Sequence, residues 1–346
     1  MAEFTVSTSP HITLKGNSTR NIMLLVLIAL MPCVITATLF FGYHVLINVL
    51  VCAGSAFGAE YLYGLLSKGT KKLSSSSASD LSALVTGVIL ALNLPATMNV
   101  WGLNLTAGEE VIISFDSVIA CVIGSVFAII LVKMLFGGIG CNFANPACTA
   151  RIFLFLCFGT AFTASATNGA LLDAWTGATW LSGTVETNGG VLLDLFLGNT
   201  ASAAVGETSA LAIIVACVFL IVVKVIDWKI PVIITGATAI FTFLFMLMEG
   251  ADFGSALFMD TLASVLSGGL LFGAVFMATD YATSPNTTLG TIIFAVGIAL
   301  ITSVIRIFAG YPEGMSFAIL IMNIVTPLLD MLIVPAPFGG KVKEGK

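Results

Sequence analysis

A short polar motif carries the residue types most suited to chemistry in this sequence. The heptapeptide DAWTGAT begins at Asp173 and ends at Thr179, within a Gly-, Thr- and Ser-rich segment over about Ala166–Ser209. Polar loops of this length are more often functional than incidental. Gly177 and Ala178 lack bulky side chains, so a large group can approach the Thr179 hydroxyl, and Asp173 supplies a carboxylate nearby. The motif indicates an acceptor for a phosphate ester, although such short patterns also occur by chance in loops.

The composition indicates a protein that crosses a membrane many times. Of the 346 residues, 58% are hydrophobic and only 9% are charged, unlike a soluble domain. The net charge of -5 gives no electrostatic basis for binding nucleic acid. The seven cysteines have neither CxxC nor CxxxC spacing, so the sequence predicts no disulfide framework and no iron–sulfur or zinc site.

Apolar runs predict an all-α membrane protein with about ten transmembrane helices. A helix needs about 18 or more apolar residues to cross roughly 30 Å of hydrocarbon. Several of the runs are interrupted by Gly or Pro, and the fifth has the weakest pattern. The candidate spans are Asn21–Phe41, Val45–Leu66, Leu81–Trp101, Ser114–Phe136, Thr149–Phe162, Ala210–Ile226, Ile230–Met248, Leu262–Ala278, Thr291–Phe308 and Ser316–Val334.

The distribution of basic residues predicts the orientation, because Lys and Arg concentrate in short cytoplasmic loops. If the ten spans alternate, both termini and most basic residues are cytoplasmic, among them Lys133, Arg151 and Lys224. The opposite side receives the acidic residues of the long loop, such as Glu207, and the outward-facing Thr179.

These spans and loops divide the chain into five parts. We expect a cytoplasmic segment at 1–20, a first membrane repeat at 21–165, an extracytoplasmic loop at 166–209, a second membrane repeat at 210–334 and a cytoplasmic tail at 335–346.

The two membrane parts resemble each other. Ser82–Thr97 and Ser267–Thr283 are both Gly-containing apolar runs that end in a polar, Thr-bearing break, and Lys133 and Arg306 each precede a glycine by four residues. Five spans per half is an odd number, so the second copy is predicted to be inverted. Inverted repeats with broken helices place binding sites near the middle of the bilayer.

Polar or Pro-containing breaks interrupt four of the apolar regions. Single breaks of this kind also occur as kinks that neighbouring helices tolerate, but four in matching places predict a cavity. Asp280 is the candidate for handling a cation or proton, and Lys133 and Arg306 are further candidates for an ion path. The breaks are Asn93–Asn99, Cys141–Ala147, Thr279–Thr288 and Gly310–Gly314.

At these breaks the sequence resembles one known family. DAWTGAT is similar to its flavin-attachment motif, CNFANPA after the pair Gly137 and Gly138 resembles its Asn-Pro-Ala stretch, and Ile305–Asp330 resembles its C-terminal signature almost end to end. The family comprises the RnfD component of the Rnf complex and the NqrB component of the sodium-pumping NADH:quinone reductase. Tyr281 and the single Pro95 depart from the prolines common in the family, which leaves local details of the cavity open.

The resemblance implies a subunit of a ferredoxin:NAD+ oxidoreductase in the bacterial inner membrane that pumps Na+ or H+. It implies FMN joined to Thr179 by a flavin transferase, with Asp173, Thr176 and Gly177 supporting recognition by the transferase and Ala178 as a further cofactor-binding residue. A second, non-covalent flavin such as riboflavin is expected among the broken spans, with other Rnf subunits and an outer flavoprotein neighbour as partners. The candidate cofactor ligands in CNFANPA are Asn142 and Asn145.

Two other classes of function fit the architecture. One is a secondary transporter or channel for a small solute, with inverted repeats and no redox group, and the other is a subunit that only scaffolds partners. Neither needs the DAWTGAT motif or a bound flavin. Activity of the isolated chain is not expected, because it has neither a nicotinamide-binding fingerprint nor cluster ligands.

Overall fold

The structure is a computed structural model that describes most of the two membrane parts. It describes residues 18–68, 77–107, 110–159, 189–198, 204–250, 253–267, 269–309 and 314–334. The DAWTGAT motif lies outside the described residues, with Asp173, Thr176, Gly177, Ala178 and Thr179. Most of the break Gly310–Gly314 also lies outside them.

Helices make up nearly all of the described chain, with one small hairpin between α3 and α4. The helix α4 continues as a π-helix over Phe127–Met134, and α10 continues as a π-helix over Gly273–Met277. The elements are α1 (Thr19–Phe41), α2 (His44–Lys68), α3 (Ser82–Leu92), β1 (Asn104–Ala107), β2 (Glu110–Ser114), α4 (Phe115–Val126), α5 (Pro146–Phe158), α6 (Gly189–Leu197), α7 (Ala210–Val222), α8 (Lys229–Met248), α9 (Ser255–Leu266), α10 (Leu270–Phe272), α11 (Thr288–Phe308) and α12 (Met315–Leu332).

The protein is a helical, multi-pass membrane protein. Within the described residues, six helices are long and apolar enough to cross a membrane, or seven if the bent pair of α9 and α10 forms one span. Three further apolar helices, α3, α5 and α7, are shorter than a full crossing. The described residues therefore do not contain ten uninterrupted spans.

The differences from the predicted spans arise at polar or flexible residues. The third predicted span is helical only as far as Leu92, because Asn93 and Pro95 follow. The eighth is divided between α9 and α10, which meet at 51° around Gly269. The fifth predicted span begins earlier than expected, at Pro146, and its helix ends at Phe158.

Local sequence explains where several helices begin. Side-chain oxygens of Ser18, Ser209 and Thr287 accept hydrogen bonds from backbone N–H groups in the first turns of α1, α7 and α11. Such N-caps satisfy donors that have no partner within the helix. The Asn145 side chain caps α5 in the same way, and Pro146 occupies the first helical position, where a missing N–H is tolerated.

The core lies where the broken helices pack against the long ones. Helix α3 packs along α2, and a Cβ at Gly87 would lie only 2.6 Å from the Cys52 carbonyl oxygen, so a glycine is needed for this approach. Large apolar side chains such as Leu50 and Met248 remain exposed on the outside of the bundle. In a membrane protein, this outer surface faces lipid.

The β1–β2 hairpin is anchored to the start of α4. One carboxylate oxygen of Asp116, Oδ2, accepts hydrogen bonds from the backbone N–H groups of Val100, Trp101 and Gly102 at 2.8, 2.9 and 3.0 Å. The buried carboxylate thereby satisfies the backbone donors that precede the hairpin.

Candidate functional site

A cavity of about 360 Å³ lies among the broken helices. Four of the sequence-predicted site residues line it: Lys133, Asn142, Asn145 and Asp280. Its walls are otherwise mainly apolar, and Lys133 and Phe276 belong to the two π-helical segments. Single π-turns in α-helices are often found at functional sites.

Two breaks that are far apart in the sequence meet at this cavity. The Asn142 side-chain amide Nδ2 donates to the Asp280 carboxylate oxygen Oδ2 at 3.2 Å and to the Ala144 carbonyl at 3.0 Å. The Asn145 amide Nδ2 donates to the carbonyl of Met277 at 3.1 Å. Met277 is the last residue of the second π-helix. The CNFANPA break of the first membrane part therefore binds directly to the Thr-Asp break of the second.

Both the oxygen and the nitrogen of the Asn145 side-chain amide make hydrogen bonds. Its Oδ1 accepts from the backbone N–H groups of Ala147 and Cys148 at 3.0 and 3.2 Å, while its Nδ2 holds Met277. In this conformation Asn145 positions the two breaks against each other. Its role as a cofactor ligand stays a prediction.

Asp280 lies in a polar surrounding although the cavity walls are mainly apolar. Besides Asn142, the Thr283 hydroxyl donates to Asp280 Oδ2 at 3.4 Å and the Ala282 N–H donates to Oδ1 at 3.5 Å. The Thr283 carbonyl in turn accepts from the Thr326 hydroxyl of α12 at 3.0 Å. Carboxylate, hydroxyl and backbone carbonyl oxygens are groups that bind hard cations, and a carboxylate can also take up a proton.

Lys133, which lines the cavity, belongs to a buried ion pair. Lys133 Nζ lies 2.6 Å from Glu60 Oε2 on α2 and donates to the Ser82 hydroxyl of α3 at 2.7 Å. Lys133 is 3% exposed and Glu60 is 0% exposed. Charges buried at this depth are rare and are stable only when paired.

Arg306 lies elsewhere, outside the set of residues that line the cavity. Its guanidinium donates to the Ser264 carbonyl at 2.6 Å and to the Ser267 carbonyl at 3.1 Å, at the point where α9 ends. The structure therefore does not bring Arg306 together with Lys133 and Asp280.

A second buried charged group, which we call the central cluster, consists of Arg151, Glu207, Asn93 and Ser316. Arg151 Nη1 donates to the Ser316 hydroxyl at 2.9 Å and to Asn93 Oδ1 at 3.3 Å, and Nη2 lies 3.7 Å from Glu207 Oε1. Arg151 is 4% exposed and Glu207 is 8% exposed.

The charge pattern alone predicts different surroundings for these residues. It places Arg151 and Lys133 among basic residues at a cytoplasmic surface and Glu207 in the outer loop, whereas all three are buried in ion pairs. Their charge is compensated by a partner on another segment instead of by water. Glu60 was missed entirely, although an acidic residue inside an apolar run is itself a signal.

Comparisons with known proteins agree with the sequence pattern. Residues 5–339 match the NQR2, RnfD, RnfE family. The chain belongs to this family. It is 41% identical over 98% of its length to the D component of the Na+-translocating ferredoxin:NAD+ oxidoreductase complex of Acetobacterium woodii, and the match covers 97% of that relative. It is 35% identical to the D component of the proton-translocating complex of Clostridium ljungdahlii, over 97% of this chain and 96% of the relative.

Membership of the family extends to more distant relatives. The D component of an ion-translocating oxidoreductase complex in Citrobacter koseri is 31% identical over 97% of this chain and 99% of that relative. The matches therefore include the cavity, the central cluster and the loop that contains DAWTGAT. They also include both a Na+-translocating and a proton-translocating system, so family membership leaves the ion open.

Proposed function

We propose that this chain is the D-type membrane subunit of an ion-translocating ferredoxin:NAD+ oxidoreductase complex in a bacterial cell membrane. The observation that carries the proposal is the match to two such subunits over at least 97% of the chain, at 41% and 35% identity. The complex would pass electrons between ferredoxin and NAD and translocate Na+ or H+. Its other subunits would supply the nicotinamide and ferredoxin sites.

We further propose that FMN is joined to Thr179 through a phosphodiester bond. The DAWTGAT motif supports this, because Gly177 and Ala178 leave the Thr179 hydroxyl accessible and Asp173 and Thr176 complete the pattern that the transferase would recognise. A flavin exchanges one electron with iron–sulfur clusters and two with nicotinamide, which suits it to this complex. With Thr179 on the outer side, the flavin would face a flavoprotein neighbour.

The membrane parts are proposed to form two inverted repeats of five crossings each. Both broken helices follow a residue with left-handed backbone geometry, Leu81 at φ 64° before α3 and Gly269 at φ 66° before α10. Lys133 donates to Ser82 next to the first of these residues, and Arg306 donates to the carbonyl of Ser267 close to the second. These matched contacts support the correspondence between Lys133 and Arg306.

The cavity is also the proposed place for a second, non-covalent flavin such as riboflavin. Its volume of about 360 Å³ and its mainly apolar lining fit a small-molecule pocket, since such pockets span roughly 300–1,000 Å³ with a few polar groups. Asn142 and Lys133 would supply hydrogen bonds at its polar wall. Thr19 at the start of α1 and Gly140 after α4 also line the cavity, so under the proposed topology it opens toward the cytoplasm.

Ion coupling is proposed to centre on Asp280. Its carboxylate lies beside the Thr283 hydroxyl and the Asn142 amide on the cavity wall, where a cation would be attracted and partly stripped of water. A cation in a region of low dielectric interacts strongly with any change of charge nearby. The affinity of this site would therefore depend on the redox state of the complex.

The first experiment tests the covalent flavin. The chain is expressed together with a flavin transferase, and the denatured band is examined by in-gel fluorescence and intact mass for wild type and Thr179→Ala. We expect a fluorescent wild-type band heavier by one FMN and a dark band for Thr179→Ala. Thr184→Ala removes a hydroxyl of the same segment outside the DAWTGAT motif, so it is the matched control and should stay fluorescent. An unmodified wild-type chain, with the transferase active on another substrate, would favour the transporter without a redox group.

The second experiment separates ion transport from cofactor binding. In the whole complex, Asp280→Asn is expected to reduce ion uptake by at least tenfold while flavin content stays within about twofold of wild type. Asp227→Asn, at an exposed carboxylate, is the matched control. Equal loss of uptake and flavin would reject a role specific to transport.

A further inference from the structure

The central cluster lies beyond the inner end of the cavity, which is the end away from its proposed opening at Thr19 and Gly140. Two helices that line the cavity, α3 and α5, also reach the cluster. On α5, Asn145 lines the cavity and Arg151 lies six residues further, roughly 9 Å along the helix axis. On α3, Ile89 lines the cavity and Asn93, which accepts from Arg151, lies one turn further.

The second broken helix leads to the same point from the other membrane part. Phe276 lines the cavity near the end of the π-helix, whereas the start of α10 at Gly269 lies against Glu207. A Cβ at Gly269 would lie 2.3 Å from Glu207 Oε1, so the carboxylate is in contact with this backbone. Three segments that line the cavity therefore also contact one buried guanidinium and one buried carboxylate.

The chemistry of the pair Arg151 and Glu207 excludes proton transfer through Arg151. A guanidinium keeps its proton at all physiological pH values, so Arg151 cannot pass a proton on. It is a fixed positive charge that lies further along α5 than the cavity lining and in contact with the end of α3. Fixed positive charges in membrane pores exclude cations.

The neighbours of Arg151 hold that charge in one place. The Ser316 hydroxyl and Asn93 Oδ1 accept from Nη1, and Glu207 Oε1 lies 3.7 Å from Nη2, so the guanidinium is held from α12, from the end of α3 and from the turn before α7. Glu207 also offsets the cost of burying the charge, because an unpaired buried charge is strongly unfavourable.

We propose that Arg151 closes the cavity to cations at its inner end, and that Glu207 and Asn93 position its guanidinium for this purpose. The barrier would keep Na+ or H+ from leaking through the subunit when no electrons flow. This inference rests on the proposed function, because it assumes that the cavity handles a cation.

The test uses the whole complex reconstituted in vesicles. Three quantities are measured: passive leak of 22Na+ and of protons under an imposed gradient without electron donor, ferredoxin-dependent NADH formation, and the number of ions taken up per electron. Arg151→Gln is expected to raise the passive leak of the transported ion at least tenfold and to lower the ions per electron at least fivefold. Electron transfer should stay within about threefold of wild type.

Two variants distinguish the effect of losing the positive charge at Arg151 from the effect of damaging the fold. Arg151→Lys keeps a positive charge and is expected to keep the leak within about twofold of wild type. Lys229→Gln removes the charge of a partly exposed pair and serves as the surface control. An assembled Arg151→Gln complex with wild-type leak and wild-type ions per electron would overturn the proposal, as would a leak in Arg151→Lys as large as in Arg151→Gln.

If the Arg151→Gln complex does not assemble, Glu207→Gln tests the proposal instead. Removing the carboxylate frees the guanidinium from one of the three groups that hold it, so we expect the passive leak to rise at least threefold and the ions taken up per electron to fall. A wild-type leak in an assembled Glu207→Gln complex would overturn the proposal. Failure of the proposed function is seen separately, as a wild-type complex that forms NADH without taking up ions.

Discussion

Replacing Lys133 with methionine is expected to destabilise the fold by about 3–5 kcal/mol, because it leaves Glu60 as an unpaired charge in the interior. The two charged atoms lie 2.6 Å apart, which gives an attraction of roughly 6 kcal/mol at an effective dielectric constant of about 20. Desolvation of both groups offsets much of this attraction in the intact pair. The loss of one partner removes the attraction and leaves the cost of burying the other.

A double-mutant cycle measures this effect directly. The variants are Lys133→Met, Glu60→Met and the double replacement, and we expect the double variant to be within about 2 kcal/mol of wild type, because no buried charge is left. Lys229→Met is the matched control, since its pair with Asp227 is partly exposed at the surface and surface pairs contribute about 0–1 kcal/mol.

Unfolding can be followed with a thiol-reactive fluorescent dye on the chain in detergent. Cys33, Cys52, Cys121 and Cys148 are buried, so their reaction with the dye reports loss of the fold, while Cys141 and Cys157 are exposed and give a constant baseline. A loss in Lys133→Met no larger than in Lys229→Met would refute the reasoning. So would a double variant that is less stable than either single variant.

Two further predictions concern the broken helices. Gly269→Ala is expected to cost at least about 1 kcal/mol from left-handed backbone geometry alone and to displace the Glu207 carboxylate, whereas Gly236→Ala, with no atom within 4 Å of the added methyl group, should be neutral or stabilise α8 by up to about 1 kcal/mol. Equal stabilities in the dye assay would contradict this. Asn48→Ala is expected to cost about 1–3 kcal/mol, because the Asn48 amide donates to two buried backbone carbonyls of the first break at 3.2 and 2.9 Å. Asn286→Ala, which removes an exposed amide, should change the thermal midpoint little, and a similar shift in both variants would refute this role of Asn48.

Much of the candidate site follows from local sequence signals. Polar residues that interrupt apolar runs identify Asp280, Asn142 and Asn145, and the structure brings all three to one cavity. The likeness between Lys133 and Arg306 identifies both as candidates, but only Lys133 of the two lines the cavity. Under the proposed inverted repeat, equivalent positions lie on opposite sides of the bilayer midplane, so the likeness does not bring the two residues together.

The contacts that sequence reasoning missed share a physical cause. Glu60 and Lys133 are 73 residues apart, and Arg151 and Asn93 are 58 residues apart, so no periodicity links them. A basic residue near the end of an apolar run has the same local pattern whether it faces water or a buried carboxylate. Only the packing of α2 against α4, and of α5 against α3 and α12, distinguishes the two cases.

The sequence by itself determined the membrane class, the approximate positions of the apolar runs, the breaks within them and the family to which the chain belongs. These properties depend on composition and on short local patterns, because insertion into a bilayer and helix termination are decided over a few to about 20 residues. The tertiary structure alone decided that the CNFANPA and Thr-Asp breaks bind each other, that Lys133 pairs with Glu60, and that Arg151 and Glu207 meet beyond the cavity. Buried charges need partners, and which partner is within reach depends on how distant helices pack.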